Sequence, residues 1–147
     1  DQTLVRAVHD RSHDGCAIAG ICDMTLADES AVFQLPEMEY HLPPTLAISA
    51  IVDRVGKKAA GYMAYSLTQF DAHAAQAMGL VNQVVARGQL DAALQALLAT
   101  LTSRDLMSVM AIKEYMAYAP ESGPAVRPMA SNLLALALST QAARKKA

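Results

Sequence analysis

The fold of this chain is decided by residues 27–37, which read ADESAVFQLPE. The apolar residues 24–27 and 31–35 predict two strands. The polar residues Asp28, Glu29 and Ser30 lie between them and predict the connection from one strand to the next. Pro36 ends this region, and Glu37 follows it directly.

The residues before this stretch predict a strand, a turn and a short buried helix. Residues 3–9 are apolar and partly β-branched, which is typical of a strand. The polar residues 10–15 predict a turn. Residues 16–22 are small and apolar on every side, which favours a helix packed against a sheet, with Asp14 placed to cap its first turn. The chain up to Pro36 is therefore predicted to be α/β.

The composition becomes helical after Pro43 and Pro44, so we place a subdomain boundary between residues 43 and 44. Helices are predicted to begin at Thr45 as cap, to stop and restart at Gly56, and to recur from residue 90 onward. Residues 129–140 are apolar almost all round, which indicates a helix covered by a partner subunit. The remaining predicted elements are a short helix over residues 70–78, with Asp71 as cap and Gly79 as stop, and a strand over residues 80–85.

Composition and charge exclude several classes of protein. Twelve Lys and Arg stand against fourteen Asp and Glu, which gives a net charge of -2 and disfavours nucleic-acid binding. No apolar run reaches the length of a membrane span, and no signal peptide begins the chain. The two cysteines are too few for a disulfide framework, so we expect a cytoplasmic protein.

Two groups of residues could carry chemistry. A soft metal would use ligands such as His9, His13, Cys16 and Cys22, but their spacing matches no standard zinc pattern, so we predict no metal site. Glu37 and Glu39 form a close pair of carboxylates, and from the residues alone they read as two solvated side chains in a loop.

Several motifs in a fixed order resemble the crotonase (enoyl-CoA hydratase/isomerase) superfamily. In that family a Gly-Gly-Gly turn opens a helix that ends in Cys-Asp. An acidic-Ser-Ala link, a Phe-x-x-Pro-Glu signature and a Gly-Leu-Val strand then follow. This chain carries Cys22 and Asp23, the stretch 27–37, and residues 78–85, MGLVNQVV, at the family's intervals. The resemblance covers about residues 3–85.

The resemblance implies an α/β fold in two parts. Residues 1–43 are expected to form part of a crotonase-like ββα spiral that carries the Glu37 loop. Residues 44–147 are expected to be mainly helical, with one strand at residues 80–85 and oligomerisation helices of the trimer-forming type at residues 90–140. The chain corresponds to the C-terminal half of the usual subunit. Since Asp1 is not Met and the strand at residues 3–8 would leave an unpaired sheet edge, we expect another segment or polypeptide to complete the spiral.

The resemblance also implies an acyl-CoA thioester as substrate. Family members hold the thioester carbonyl with two backbone N–H groups, which stabilise the enolate formed when a carboxylate moves a proton. Glu37 falls on that carboxylate and is implied as the acid/base. The N–H of the oxyanion hole falls on Asp14 or Gly15. The substrate contacts implied are Phe33, Pro36 and His41, although His41 reads equally as a surface residue.

Two positions depart from the family pattern. Hydratases carry a second Glu in the first turn of the helix, where this chain has Ala17; a single carboxylate favours the isomerase reaction. Asp14 replaces a glycine of the turn. A carboxylate ~4 Å from an enolate would cost about 4 kcal/mol at an effective dielectric constant of ~20. The Asp14 side chain must then point away, be neutralised by His13 or Arg11, or mark an inactive site.

Three hypotheses of function follow. The first is an acyl-CoA enzyme of the enoyl-CoA hydratase/isomerase type, with isomerase-like chemistry at a single Glu. The second is a non-catalytic or degenerate assembly subunit with the same fold. The third is another crotonase reaction, such as decarboxylation or thioester hydrolysis. We expect no cofactor besides the coenzyme A of the substrate, no nucleic-acid or membrane partner, and a homo-oligomer that is a trimer or a hexamer.

Overall fold

A computed structural model describes residues 5–8 and 15–118 of the chain, together with residues 132 and 135. The described residues up to Leu97 belong to one compact unit, and those from Leu98 onward belong to a second. Residues 10–14 of the predicted turn, including Asp14, and nearly all of the predicted helix at 129–140 lie outside the described residues. Gly15, the last residue of the predicted turn, belongs to a helix. The helices within these ranges include none that is both long and apolar enough to cross a membrane.

The first unit alternates short strands and helices. Its elements in chain order are β1 (Val5–Val8), α1 (Gly15–Ile21), β2 (Met24–Asp28), β3 (Val32–Phe33), a 3₁₀ helix (Glu37–Tyr40), α2 (Thr45–Ser66), β4 (Phe70–Asp71), α3 (Ala72–Ala77) and β5 (Gln83–Val85). Two further helices follow, α4 (Leu90–Thr102) and α5 (Leu106–Tyr118). The α/β prediction for the N-terminal part is confirmed, and so is the helical prediction for the later part of the chain as far as the structure describes it, to residue 118.

The strands form two small sheets. β2 lies between β1 and β5 in a parallel sheet, where Val8 stands opposite Ala27 and Ala27 stands opposite Val84. Parallel neighbours need a crossover connection, and α1 supplies it between β1 and β2. β3 pairs with β4 in an antiparallel ribbon, with Phe33 opposite Phe70. The side chain of Phe33 is fully buried.

α1 packs against α2 at a glycine. A Cβ built on Gly20 would lie 2.7 Å from the carbonyl carbon of Ala50 and 2.8 Å from Cγ2 of Ile51. Only a residue without a side chain allows this approach. The carbonyl of Gly20 also accepts a hydrogen bond from Nε of Arg54 at 3.1 Å. The small residues predicted for α1 therefore allow two helix backbones to come close.

The capping and stop residues predicted from the sequence can be compared with the observed ends of the helices. Gly56 has φ 77° and ψ 159°, which breaks α2 into two helical segments where the sequence predicted a stop. Asp71 caps α3 as predicted, since its Oδ1 accepts a hydrogen bond from the N–H of Ala74 at 2.7 Å. The predicted cap at Thr45 is wrong. Pro44 occupies the cap position, because its carbonyl already accepts the N–H of Ile48 at 2.8 Å.

Two strands, β3 and β5, are shorter than the sequence predicted. β5 covers residues 83–85 rather than 80–85, because the N–H groups of Leu80 and Val81 bond back to the carbonyl of Ala75 at 3.0 and 3.3 Å. Both side chains are buried, which explains their apolar character without a strand. β4 (Phe70–Asp71) was not predicted: the sequence placed these two residues in a helix and gave residues 44–147 a single strand, at 80–85. Cys22, predicted inside the buried helix, lies just beyond α1 and is half-buried.

Asp28 ends β2 and organises the connection that follows. Its Oδ1 accepts hydrogen bonds from the hydroxyl of Ser30 at 2.6 Å and from the N–H of Ser30 at 2.8 Å. Its Oδ2 accepts one from the N–H of Gly88 at 3.1 Å, which joins the connection to the segment after β5. These donors favour the charged carboxylate, and the Ser30 hydroxyl is the largest cause of a pKa of Asp28 below its usual value of 3.8.

Gly20→Ala is expected to destabilise the first unit. The added methyl would press against the carbonyl group of Ala50, which is backbone and cannot rotate away. Overpacking of this kind costs about 1–3 kcal/mol or more. Thermal unfolding followed by circular dichroism measures the change. Gly61→Ala is the matched control, because there the nearest atom is Cε2 of Tyr65 at 3.5 Å, and helix propensity should make it neutral or slightly stabilising. Equal melting temperatures for the two variants would contradict the helix contact.

Asp28→Asn is expected to make stability less dependent on acid pH. The folded-state pKa of Asp28 is lowered, so its contribution is present above the unfolded value of 3.8 and is lost as pH falls through the folded pKa. The variant should melt below the parent protein near neutral pH, and the gap should narrow in acid. Ser30→Ala, which removes one of the donors, should produce a smaller change of the same kind. A gap that stays constant with pH would count against this role of Asp28.

Candidate active site

Glu37 begins a tight turn directly after Pro36. It is the first residue of the 3₁₀ helix Glu37–Tyr40, which the sequence did not predict. The carbonyl of Glu37 accepts the N–H of Leu42 at 3.1 Å, and the N–H of His41 also bonds to it. His41 closes the turn in the left-handed region, at φ 59°. The backbone around the carboxylate is therefore held by hydrogen bonds on its C-terminal side.

The carboxylate of Glu37 has a buried oxygen atom. Its Oε2 atom is buried and has no hydrogen-bond partner within the described part of the chain. Most buried polar atoms in folded proteins have such a partner, because burial without one costs free energy. An unpaired buried carboxylate oxygen is free to accept a proton from a molecule placed against it.

Cys16 brings the first turn of α1 to the Glu37 segment. Its side chain is fully buried, and Sγ donates a hydrogen bond to the carbonyl of Gln34 at 3.4 Å. The pKa of the Cys16 thiol is raised to about 12, chiefly by burial. A backbone hydrogen bond with Gln34 lowers it by less, and the nearby negative charge of Glu37 makes the smallest contribution, which raises it. A neutral thiol fits the helix of small apolar residues that the sequence predicted over residues 16–22.

The structure places the other predicted site residues at different depths. Gly15 is buried and begins α1, next to Cys16, while Asp14 lies outside the described residues. Phe33 is fully buried in the core, Pro36 is half-buried and His41 is exposed. The roles assigned to these residues stay predictions. The described residues contain no group of three or more His, Cys, Asp or Glu side chains that could hold a metal ion, and His9 and His13 lie outside them.

Sequence reasoning missed a polar contact beside the site. Nε2 of Gln34 donates a hydrogen bond to the carbonyl of Leu67 at 2.8 Å, and its Oε1 accepts one from Nε2 of Gln69 at 3.3 Å. Gln34 lies three residues before Glu37, whereas Leu67 follows α2. No local pattern could have revealed this contact, because its partners are 33 residues apart.

Comparison with known proteins identifies the relatives of this chain. The sequence profile of the enoyl-CoA hydratase/isomerase family matches residues 11–146. The 2,3-dehydroadipyl-CoA hydratase of Escherichia coli (strain K12) is 37% identical over 71 residues, which is 48% of this chain and 28% of that protein. The chain thus spans under a third of this curated relative.

Solved structures give the same relationship. An enoyl-CoA hydratase from Mycobacterium smegmatis is 26% identical with a TM-score of 0.83, over 89% of this chain and 52% of that one. A Thermobifida fusca YX protein assigned as an enoyl-CoA hydratase and solved with acetoacetyl-CoA is 26% identical with a TM-score of 0.82, over 92% of this chain and 55% of that one. This chain spans about half the length of each.

The parallel sheet, its short crossover helix and the helical region that follows make this a crotonase-fold protein. The chain belongs to the enoyl-CoA hydratase/isomerase family.

Cys16 is expected to resist modification in the folded protein. Its thiol is fully buried and its raised pKa leaves almost no thiolate near neutral pH, whereas Cys22 is half-buried. Iodoacetamide followed by mass spectrometry should label Cys22 first and Cys16 only on unfolding. Because the folded pKa is raised above the value of 9.0, stability should also fall as pH rises above 9.0, and Cys16→Ala should remove that part of the decline. Equal labelling of both cysteines in the folded protein would refute the buried position.

Proposed function

We propose that this protein acts on acyl-CoA thioesters as an enzyme of the enoyl-CoA hydratase/isomerase type, with Glu37 as the group that moves the proton. The observation that carries the proposal is the buried Oε2 of Glu37, which has no hydrogen-bond partner among the described residues, in a chain of this family. The acetoacetyl-CoA bound to the Thermobifida fusca relative supports the substrate class.

The proposed chemistry uses Glu37 first as a base and then as an acid. Glu37 removes a proton from C2 of a 3-enoyl-CoA, and the electrons are delocalised into the thioester carbonyl as a dienolate. Backbone N–H groups aimed at the carbonyl oxygen would stabilise that charge, and the start of α1 at Gly15, beside Cys16, is the candidate donor in the described residues. Protonated Glu37 then delivers the proton to C4, and the double bond moves to C2–C3.

Ala17 favours this isomerisation over hydration. It lies in the first turn of α1, where the hydratases of the family carry a second Glu, and its methyl packs against the hydrophobic core. Isomerisation transfers a single proton between two carbons, so one carboxylate is sufficient. Hydration remains the second candidate function, because the Escherichia coli relative is named a hydratase.

The proposed enzyme is a homo-oligomer and needs no cofactor of its own. Coenzyme A enters as part of the substrate. A trimer or hexamer of identical chains is proposed on the basis of α5, where the large apolar side chains of Leu106, Ile112 and Met116 are exposed in the single chain.

Glu37→Gln is expected to abolish proton transfer on the acyl chain. The amide keeps the shape of the side chain but cannot accept the C2 proton, and loss of a positioned acid/base costs about 10²–10⁴-fold in rate. The measurement follows the conversion of 3-enoyl-CoA to 2-enoyl-CoA in D₂O, with deuterium incorporation detected by mass spectrometry, in the intact protein. Thioester binding should be largely unchanged.

Glu39→Gln is the matched control. Glu39 lies in the same 3₁₀ helix with its side chain exposed, and the amide oxygen of the new Gln can still accept the 3.4 Å hydrogen bond that Nε2 of Gln34 donates, so the rate should stay unchanged. Exchange that persists in Glu37→Gln would overturn the proposed role. Formation of 3-hydroxyacyl-CoA from 2-enoyl-CoA as the main reaction would favour the hydratase. Turnover of neither substrate by the parent protein would favour the non-catalytic assembly subunit.

A further inference from the structure

The segment that carries Glu37 lacks regular structure before the carboxylate. β3 ends at Phe33, and residues 34–36 belong to no helix or strand before the 3₁₀ helix begins at Glu37. Its C-terminal side is fixed by the backbone bonds at His41 and Leu42. Its N-terminal side therefore depends on contacts other than sheet or helix hydrogen bonds.

Gln34 supplies such contacts from both its main chain and its side chain. Its carbonyl accepts a hydrogen bond from Sγ of Cys16 in α1 at 3.4 Å. Its Nε2 donates to the carbonyl of Leu67 at 2.8 Å and to Oε1 of Glu39 in the 3₁₀ helix at 3.4 Å, and its Oε1 accepts from Gln69 at 3.3 Å. Gln34 thus joins α1, the Glu37 segment and the connection between α2 and β4.

The carbonyl that Gln34 binds belongs to a residue in an unusual conformation. Leu67 has φ 56°, in the left-handed region, and ends α2. This conformation is unfavourable for a residue with a side chain, so neighbouring contacts are needed to hold it. The Gln34 amide is one such contact, and it is the shorter of the two side-chain bonds that Gln34 makes to this connection.

The position of the Glu37 carboxylate depends on this backbone. Oε2 has no hydrogen-bond partner within residues 15–118, so no described donor aims that oxygen directly. Its direction is set by the backbone three residues after Gln34 and by packing. A shift of Gln34 should therefore move the carboxylate.

We propose that Gln34 is a positioning residue, which holds the Glu37 segment against the Leu67 carbonyl so that the carboxylate points at the reacting carbon. This inference rests on the proposed function. It concerns the rate of the proton-transfer step rather than the binding of the thioester, because Gln34 acts through Glu37.

Gln34→Glu tests the proposal with almost no change of shape. The new carboxylate cannot donate to the Leu67 carbonyl and repels both it and the carboxylate of Glu39, so kcat for proton transfer should fall about tenfold while KM stays within about twofold. Gln34→Ala removes all three side-chain bonds of Gln34 without repulsion and gives the answer if the first variant fails to fold. Gln69→Leu is the matched control. It removes only the bond to Oε1, so kcat should stay within about twofold of the parent value.

Hydrogen exchange of the His41 and Leu42 amides, measured in the same variants, separates failure of this inference from failure of the proposed function. Both amides bond to carbonyls of the 3₁₀ helix, so they should exchange faster when Gln34 is replaced than when Gln69 is replaced. If the parent protein turns over, an unchanged kcat in the Gln34 variants overturns the proposal. If it does not turn over on any enoyl-CoA, the proposed function fails, and unchanged exchange overturns the positioning role while faster exchange upholds it.

Discussion

The close contact of α1 with α2 at Gly20 is the constraint on which the rest of the candidate site depends. The Ala50 carbonyl occupies the space that a side chain would need, and the Arg54 guanidinium binds the Gly20 carbonyl at 3.1 Å. α1 is a short helix, so Gly15 at its start lies only about 7–8 Å along its axis from Gly20. A rigid helix of this length transmits its position at Gly20 to its first turn. The site is therefore positioned in part by a helix contact remote from the carboxylate.

The first turn of α1 contacts the Glu37 segment through the neutral thiol of Cys16. Cys16 is buried between them, donates to the Gln34 carbonyl, and has a pKa raised to about 12 chiefly by burial. A thiolate at this position would add a second negative charge close to Glu37. Because the thiol stays protonated at ordinary pH, Cys16 can hold the segment without repelling the carboxylate. A cysteine that looks like core packing in the sequence thus also contributes a hydrogen bond to the site.

The elements predicted correctly are those fixed by adjacent residues. The Asp71 cap and the break at Gly56 each follow from local backbone chemistry, and the structure has both. Thr45 failed as a cap because Pro44 already provides the first helical carbonyl. The capping prediction weighed the side chain of one residue, whereas the helix start was decided by the backbone of its neighbour.

The elements missed are those that require a distant partner. β4 exists because Phe70 and Asp71 pair with β3, far away in the sequence. Leu80 and Val81 looked like strand residues, but their N–H groups serve the end of α3. In the candidate site, the signature around Pro36 indicated Glu37, yet neither the burial of its Oε2 nor the bond from Gln34 to Leu67 could follow from it. Long-range contacts of this kind leave no periodic signal in a sequence.

Hydration and isomerisation, the two reactions considered for this family, differ in the number of carboxylates that they need at the start of α1 and in the Glu37 turn. Hydration must activate a water molecule and also protonate a carbon, which are two proton transfers at different atoms. Ala17 contributes a methyl group that packs on the core, so α1 offers no second carboxylate there. The proposed isomerisation needs one group that is a base before the dienolate forms and an acid afterwards. The Oε2 of Glu37 accepts no hydrogen bond from the described residues and is suited to both steps, because neither gaining nor losing the proton breaks a described hydrogen bond at that atom.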